Sequence, residues 1–293
     1  MKFGPLALLT FLLVCLVSAH SLRADDPAAS GAAPANSPGI KNSLWQPIFR
    51  SMAEDYKISP ADKPDRNYKL LLPPVFRWTQ PVRGGDDGAL FVWLDGGRVM
   101  AVGTIFAWPQ SDGLRVVQHE FHSFATGPIA ATWRGSNVWS PTKGVERTPV
   151  PEAPAPATSA GQRLRQIRAI AGGFSGNSVD PDGGRWELRL LSNPFYRYAL
   201  DKNDSVLDGA LFALAQGTDP EVLLLIEAVP KDGGHEWQYC CGRFSDYRLQ
   251  VRYQGKEIWS VGPCNGSTPG EAYSWHVAER RPKPEPQAKP DGE

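Results

Sequence analysis

Residues 87–107 read DGALFVWLDGGRVMAVGTIFA. Asp95-Gly96-Gly97 is a tight-turn signal between two apolar runs, Ala89–Leu94 and Val99–Ala107, so the stretch predicts a β-hairpin. Both runs are apolar at odd and even positions alike. A strand with one wet face alternates, so both faces of this sheet must be covered. One cover lies upstream. Leu44, Trp45, Ile48, Phe49, Met52 and Tyr56 fall at helical spacing behind Ser43-x-x-Gln46, the spacing of a capping box, with Pro47 close to the start.

Much of this pattern returns further along the chain. Leu190–Tyr198 follows Leu70–Trp78 at an offset of 120, and Asp208-Gly209-Ala210-Leu211-Phe212 follows Asp87-Gly88-Ala89-Leu90-Phe91 at 121. Ile105, Ala107 and Pro109 match Ile226, Ala228 and Pro230, and His119-Glu120-Phe121 matches His235-Glu236-Trp237. Trp139-Ser140 returns as Trp259-Ser260. Ordered matches at a nearly constant offset read as a tandem duplication. A second helix is expected behind Ser159-x-x-Gln162, carrying Leu164, Ile167, Ile170 and Phe174 and ending at Gly172-Gly173. A second hairpin, Ala210–Ala215 with Val222–Ala228, turns through Gly217-Thr218-Asp219-Pro220. The expected fold is α+β: two tandem copies of one helix followed by an antiparallel sheet of about five strands. In architecture this resembles the helix-on-curved-sheet rolls of cystatins and nuclear-transport-factor-like proteins, an analogy that transfers no function.

The rest of the chain frames these copies. Residues 1–24 read as an export signal, with Lys2, an apolar run from Leu6 to Val17 and small residues at Ala19 and Ala24. Residues 25–40 form a flexible leader, 41–147 the first copy, 148–159 a Pro-rich linker (TPVPEAPAPATS), 160–279 the second copy and 280–293 a disordered tail. The expected product is exported, periplasmic or extracellular, with no membrane span once the signal is cleaved. Lys and Arg number 31 against 31 Asp and Glu in 293 residues, a balance that excludes a broad field for nucleic acid. The segments RLRQIRAIAGGF, GRWELRLL, GTDPEVLLLIEA and EIWSV resemble a set of uncharacterised exported bacterial proteins. That resemblance implies export and no particular activity.

The densest titratable cluster is Gln118-His119-Glu120-Phe121-His122. Its apolar neighbours favour a strand, on which Glu120 and His122 share a face and His119 joins Val117 and Phe121 on the other. Glu120 and His122 are candidate acid–base residues, since a nearby carboxylate tunes an imidazole. The zinc-protease spacing H-E-x-x-H is absent. His119, Arg77, Arg197 and His235 are candidate binding residues. Each arginine lies among aromatics that could stack on a guanidinium. Cys264 could bridge to Cys240 or Cys241 in an oxidising compartment, and His235 with Cys240 and Cys241 is a weaker metal candidate. Trp139 and Trp259 are expected to fill the core, or to stack on sugar if exposed. No cofactor or metal is implied by any motif, and neither a nucleophile elbow nor a P-loop is present.

Two functions follow from these readings. One is an exported, non-catalytic module of the cell envelope holding a small ligand or envelope component in the crevice between the copies. The other is an envelope hydrolase or lyase that uses Glu120 and His122.

Overall fold

Strand accounts for 55% and helix for 10% of the residues described in the computed structural model. These residues are 35–36, 43–80, 85–200, 205–264, 268 and 270–285, within one compact unit spanning 31–293. The residues read as an export signal, most of the expected leader and most of the expected tail lie outside them.

In chain order the first half comprises β1 (Ala35–Asn36), α1 (Gln46–Glu54), β2 (Tyr56–Pro60), β3 (Lys69–Gln80), β4 (Gly85–Asp95), β5 (Arg98–Pro109), β6 (Arg115–Ser123), β7 (Ile129–Trp133) and β8 (Ser136–Trp139). The remainder comprises β9 (Thr148–Pro149), α2 (Ala160–Gly172), β10 (Phe174–Val179), β11 (Arg185–Leu190), β12 (Tyr196–Arg197), β13 (Asp208–Gln216), β14 (Asp219–Lys231), β15 (Gly234–Arg243), β16 (Arg248–Tyr253), β17 (Lys256–Val261) and β18 (Tyr273–Arg281).

This arrangement overturns both the α+β expectation and the reading of the chain as an internal repeat. The fold is mainly β, with helices of only 9 and 13 residues. The sheets are not a matched pair. One has six strands in the order β1-β3-β4-β5-β6-β18, one has nine including β12, and β2-β7-β8 form a separate sheet of three. The apolar stripes overstate the helices because Tyr56 and Phe174, read as helical, open strands directly after them. The paired offsets mark similar strand segments, but these segments are built into sheets of different size and membership. β18 makes the difference plainest: it leaves the second half and pairs with β6, joining Tyr273 to His122 and His276 to His119 in register. It runs to Arg281, past the expected end of the ordered chain.

Local signals fare better. Gly96 and Gly97 adopt positive φ of 56° and 90°, which closes the β4–β5 hairpin where Asp-Gly-Gly stands. Ser159 caps α2: its hydroxyl donates to Gln162 Oε1 at 3.1 Å and accepts from the Gln162 amide at 3.3 Å. The matching box at Ser43 does not form, because the helix begins at Gln46 and Pro47 occupies its first turn. The Ser43 hydroxyl instead donates to Asp87. The linker is packed as well. Thr148 and Pro149 pair with Tyr239 and Gln238, and Val150 is buried.

Three cores stack across the molecule. One lies between α1, the outer face of the six-stranded sheet and the small sheet, with Phe49, Ile58 and Phe91 within it. A second lies between α2 and the nine-stranded sheet, around Ile167, Phe212 and Leu224. The third fills the space between the two large sheets. Phe76 of one stacks on Phe195 of the other at 4.4 Å, and Leu90, Val102, Leu211 and Leu225 surround them. Hence β4, β5, β13 and β14 are buried on both faces over most of their length. No helix among the described residues is long and apolar enough to cross a membrane.

Candidate functional site

The layer between the large sheets is apolar at its centre and changes character where β3 and β14 meet. There Thr218 Oγ donates to the Thr79 carbonyl at 2.8 Å, which bridges the sheets. Beside this bridge lies a cleft of about 470 Å³, within the range of small-molecule sites. Trp78 of β3, Phe106 and Trp108 of β5, and Gln118 and Glu120 of β6 form one wall. Asp219 and Glu221 of β14, with Phe244 to Tyr247 after β15, form the other. Tyr273 and Trp275, alternate residues of β18, complete it. Among the described residues the lining carries four carboxylates, many aromatics and no basic side chain.

Glu120 is buried, and its Oε1 accepts a 2.5 Å hydrogen bond from the Tyr273 hydroxyl. Burial raises the pKa of that phenol, and the adjoining carboxylate raises it further, so the Tyr273 proton stays in place. Trp78 is fixed by donating its indole N–H to Thr104 Oγ1 at 3.0 Å. The β4 backbone passes tightly beneath it, since a Cβ on Gly88 would lie 2.2 Å from its ring. Trp108, Tyr247 and Trp275 are half-buried and so present ring surface to the cleft. The indole N–H of Trp275 meets no acceptor among the described residues.

Alternation along β6 is as the sequence implies, with Gln118 and Glu120 toward the cleft and Val117 and Phe121 in the α1 core. His122 shares the parity of Glu120 but not its cavity. It lines a second pocket of about 410 Å³ with Cys241, Arg243, Cys264 and Tyr273. Burial drives its imidazole pKa down to about 4. The two candidate acid–base residues therefore serve separate cavities.

His119 is buried beneath the opposite face, with its Nδ1 2.6 Å from the Tyr56 hydroxyl. The same hydroxyl lies 3.2 Å from His276 Nε2, so it can donate to one imidazole and accept from the other. Burial holds both histidines below their ordinary pKa, and for His119 the neighbouring His276 and Arg134 add to the effect. Tyr56 and His276 were not among the sequence candidates. Only the β6–β18 register, joining positions 157 apart in the chain, brings His276 to His119.

The remaining candidates are dispersed. Arg197 makes two hydrogen bonds to Asp208, at 2.6 and 3.1 Å, and one to the Ala160 carbonyl. Arg163 of α2 also reaches Asp208, at 2.9 Å, so Arg197 anchors the start of that helix. Arg77 is half-buried in β3 opposite Ala89. His235 is half-buried near the start of β15, with Nε2 3.2 Å from the Ser205 carbonyl. Cys240 and Cys241 project to opposite faces, into the inter-sheet core and the α2 core. Burial pushes the Cys240 thiol up to about 12 and the Cys241 thiol well above its usual value. The three cysteines among the described residues are thiols in the structure, and Cys264 shares a pocket with Cys241 rather than Cys240. No group of three or more His, Cys, Asp or Glu among the described residues could hold a metal ion. Trp139 is buried and donates to the Glu271 carbonyl at 3.0 Å, while Trp259 borders the second pocket.

The inter-sheet layer also holds a buried ionic cluster. Glu227 accepts from Arg98 at 3.0 Å, from Arg147 at 2.6 Å and from the Tyr198 hydroxyl at 2.8 Å. Burial alone would raise its pKa, but the two guanidinium groups overcome this and hold it below the usual carboxylate value. The cluster's acceptors are filled by protein donors, whereas the cleft leaves room for a guest. No family model, curated protein or solved structure matches the chain.

Proposed function

We propose that the protein is an exported, non-catalytic binding module of the cell envelope that holds its ligand in the cleft between the two large sheets. The observation that supports this most is the composition of the lining: rings and hydrogen-bonding groups from six separated segments converge on one open volume. Such convergence positions a guest, and among the described residues the lining holds no His or Cys to activate or serve as a nucleophile. The hydrolase or lyase reading has less support, since Glu120 and His122 line different cavities and Glu120 is bonded to Tyr273.

Intrinsic fluorescence tests the proposal, because Trp108 and Trp275 lie in the cleft. Titration with envelope-derived oligomers should give a saturable change that Trp108→Ala weakens. Turnover of any such compound, abolished by Glu120→Gln in a folded variant, would overturn it.

A further inference from the structure

Resting on that reading of the cleft, we infer that its ligand is a neutral oligosaccharide. The lining lacks cationic side chains among the described residues, which disfavours phosphates, nucleic acids and acidic polymers. Four carboxylates at first suggest a cation instead. Three of them argue otherwise. Glu120, Asp219 and Glu221 are buried, and each is already engaged within the protein, Glu120 with Tyr273 among its partners. Such a carboxylate belongs to no group of three or more His, Cys, Asp or Glu side chains that could hold a metal ion among the described residues. It still offers lone pairs held at fixed positions, which suit the O–H donors of a sugar.

The rest of the lining fits the same guest. A pyranose ring has apolar C–H faces and a polar equator. Half-buried Trp108, Tyr247 and Trp275 provide ring surfaces for those faces. The Gln118 amide and Ser245 hydroxyl provide donors for ring oxygens and hydroxyls. A simple cation needs acceptors only. Donors, acceptors and stacking faces together describe a polyhydroxylated ligand, and the volume of about 470 Å³ accommodates a short oligomer.

Calorimetric titration of the full mature chain separates the outcomes, using cellotetraose, chitotetraose and maltotetraose as neutral probes beside spermidine and choline. At least one neutral probe should bind with an affinity that does not change between low and high salt. Trp108→Ala and Trp275→Ala should each weaken it about tenfold, the scale of one lost stacking contact. Trp275→Phe, which keeps a ring but loses the N–H, should recover part of that loss. Failure of every neutral probe, or binding of a cation alone with strong salt dependence and loss in Trp108→Ala, overturns the saccharide assignment but leaves the cleft as the binding site. Saccharide binding that survives both alanine variants in folded protein overturns the cleft reading itself.

Discussion

The Tyr273 hydroxyl donates to Glu120 Oε1 at 2.5 Å, across the pairing of β18 with β6. One contact thus ties the last described strand of the chain to the six-stranded sheet and commits the carboxylate that the sequence nominates as a base. A hydrogen bond to an ionised acceptor contributes about 1.5–3 kcal/mol. Tyr273→Phe is therefore expected to lower stability by roughly that amount. Urea denaturation monitored by circular dichroism measures it. An unchanged midpoint would mean that the bond has no role in holding β18.

The ionic cluster at Glu227 should matter more. Glu227→Ala leaves Arg98 and Arg147 without their shared carboxylate between the sheets. Breaking a buried pair from one side costs about 3–5 kcal/mol. The wild-type contribution also has a definite pH dependence. Because the folded carboxyl titrates below its unfolded value of 4.5, its stabilisation is present above that pH and is lost as pH falls through the folded value. Unfolding free energies of wild type and Glu227→Ala should therefore converge in acid.

Histidines give a second acid sensitivity at higher pH. His119, His122 and His276 are neutral in the fold, with pKa values depressed by burial, to about 4 for His122. Above about 6.5 they add no pH dependence. Between 6.5 and the folded value, the unfolded chain gains protons that the native state excludes, so each histidine costs about 1.4 kcal/mol per pH unit. The melting temperature should fall steadily from pH 6.5 toward 4, and His122→Phe should flatten part of that slope. A melting temperature independent of pH over this interval would refute the assignment of buried neutral imidazoles.

Backbone approach sets a third contrast. A Cβ on Gly88 would meet the Trp78 ring at 2.2 Å, whereas nothing lies within 4 Å of one on Gly161 in α2. Gly88→Ala is expected to destabilise by about 1–3 kcal/mol through overpacking. Gly161→Ala should stabilise by about 0.5 kcal/mol, from reduced freedom of the unfolded chain. Thermal melts of the two variants should move in opposite directions.

What the sequence makes legible is local. Asp95-Gly96-Gly97 places the hairpin, Ser159 places the second cap, and the two-sided apolarity of residues 89–107 requires a cover on each sheet face, which the structure supplies. Strand alternation separates Glu120 from His119. Longer inferences fail for physical reasons. Matching segments do not dictate equal sheets, because edge strands recruit whichever chain reaches them: β18 closes the six-stranded sheet and β9 extends the nine-stranded one. Glu120 was legible as a polar residue on the strand. Asp219, Glu221, Tyr273 and Trp275 were not, because they reach the cleft from distant segments through sheet packing, which no local spacing encodes.

The indole N–H resonances provide the most direct measurement of the central claim, that the cleft is where ligand binds. On titration of the ¹⁵N-labelled protein with the tightest neutral oligosaccharide, Trp108 and Trp275 should shift saturably, with Trp186, exposed on β11 away from the cleft lining, as the unmoved reference. Shifts confined to Trp186, or saturable binding that leaves Trp108 and Trp275 unmoved, would contradict the account.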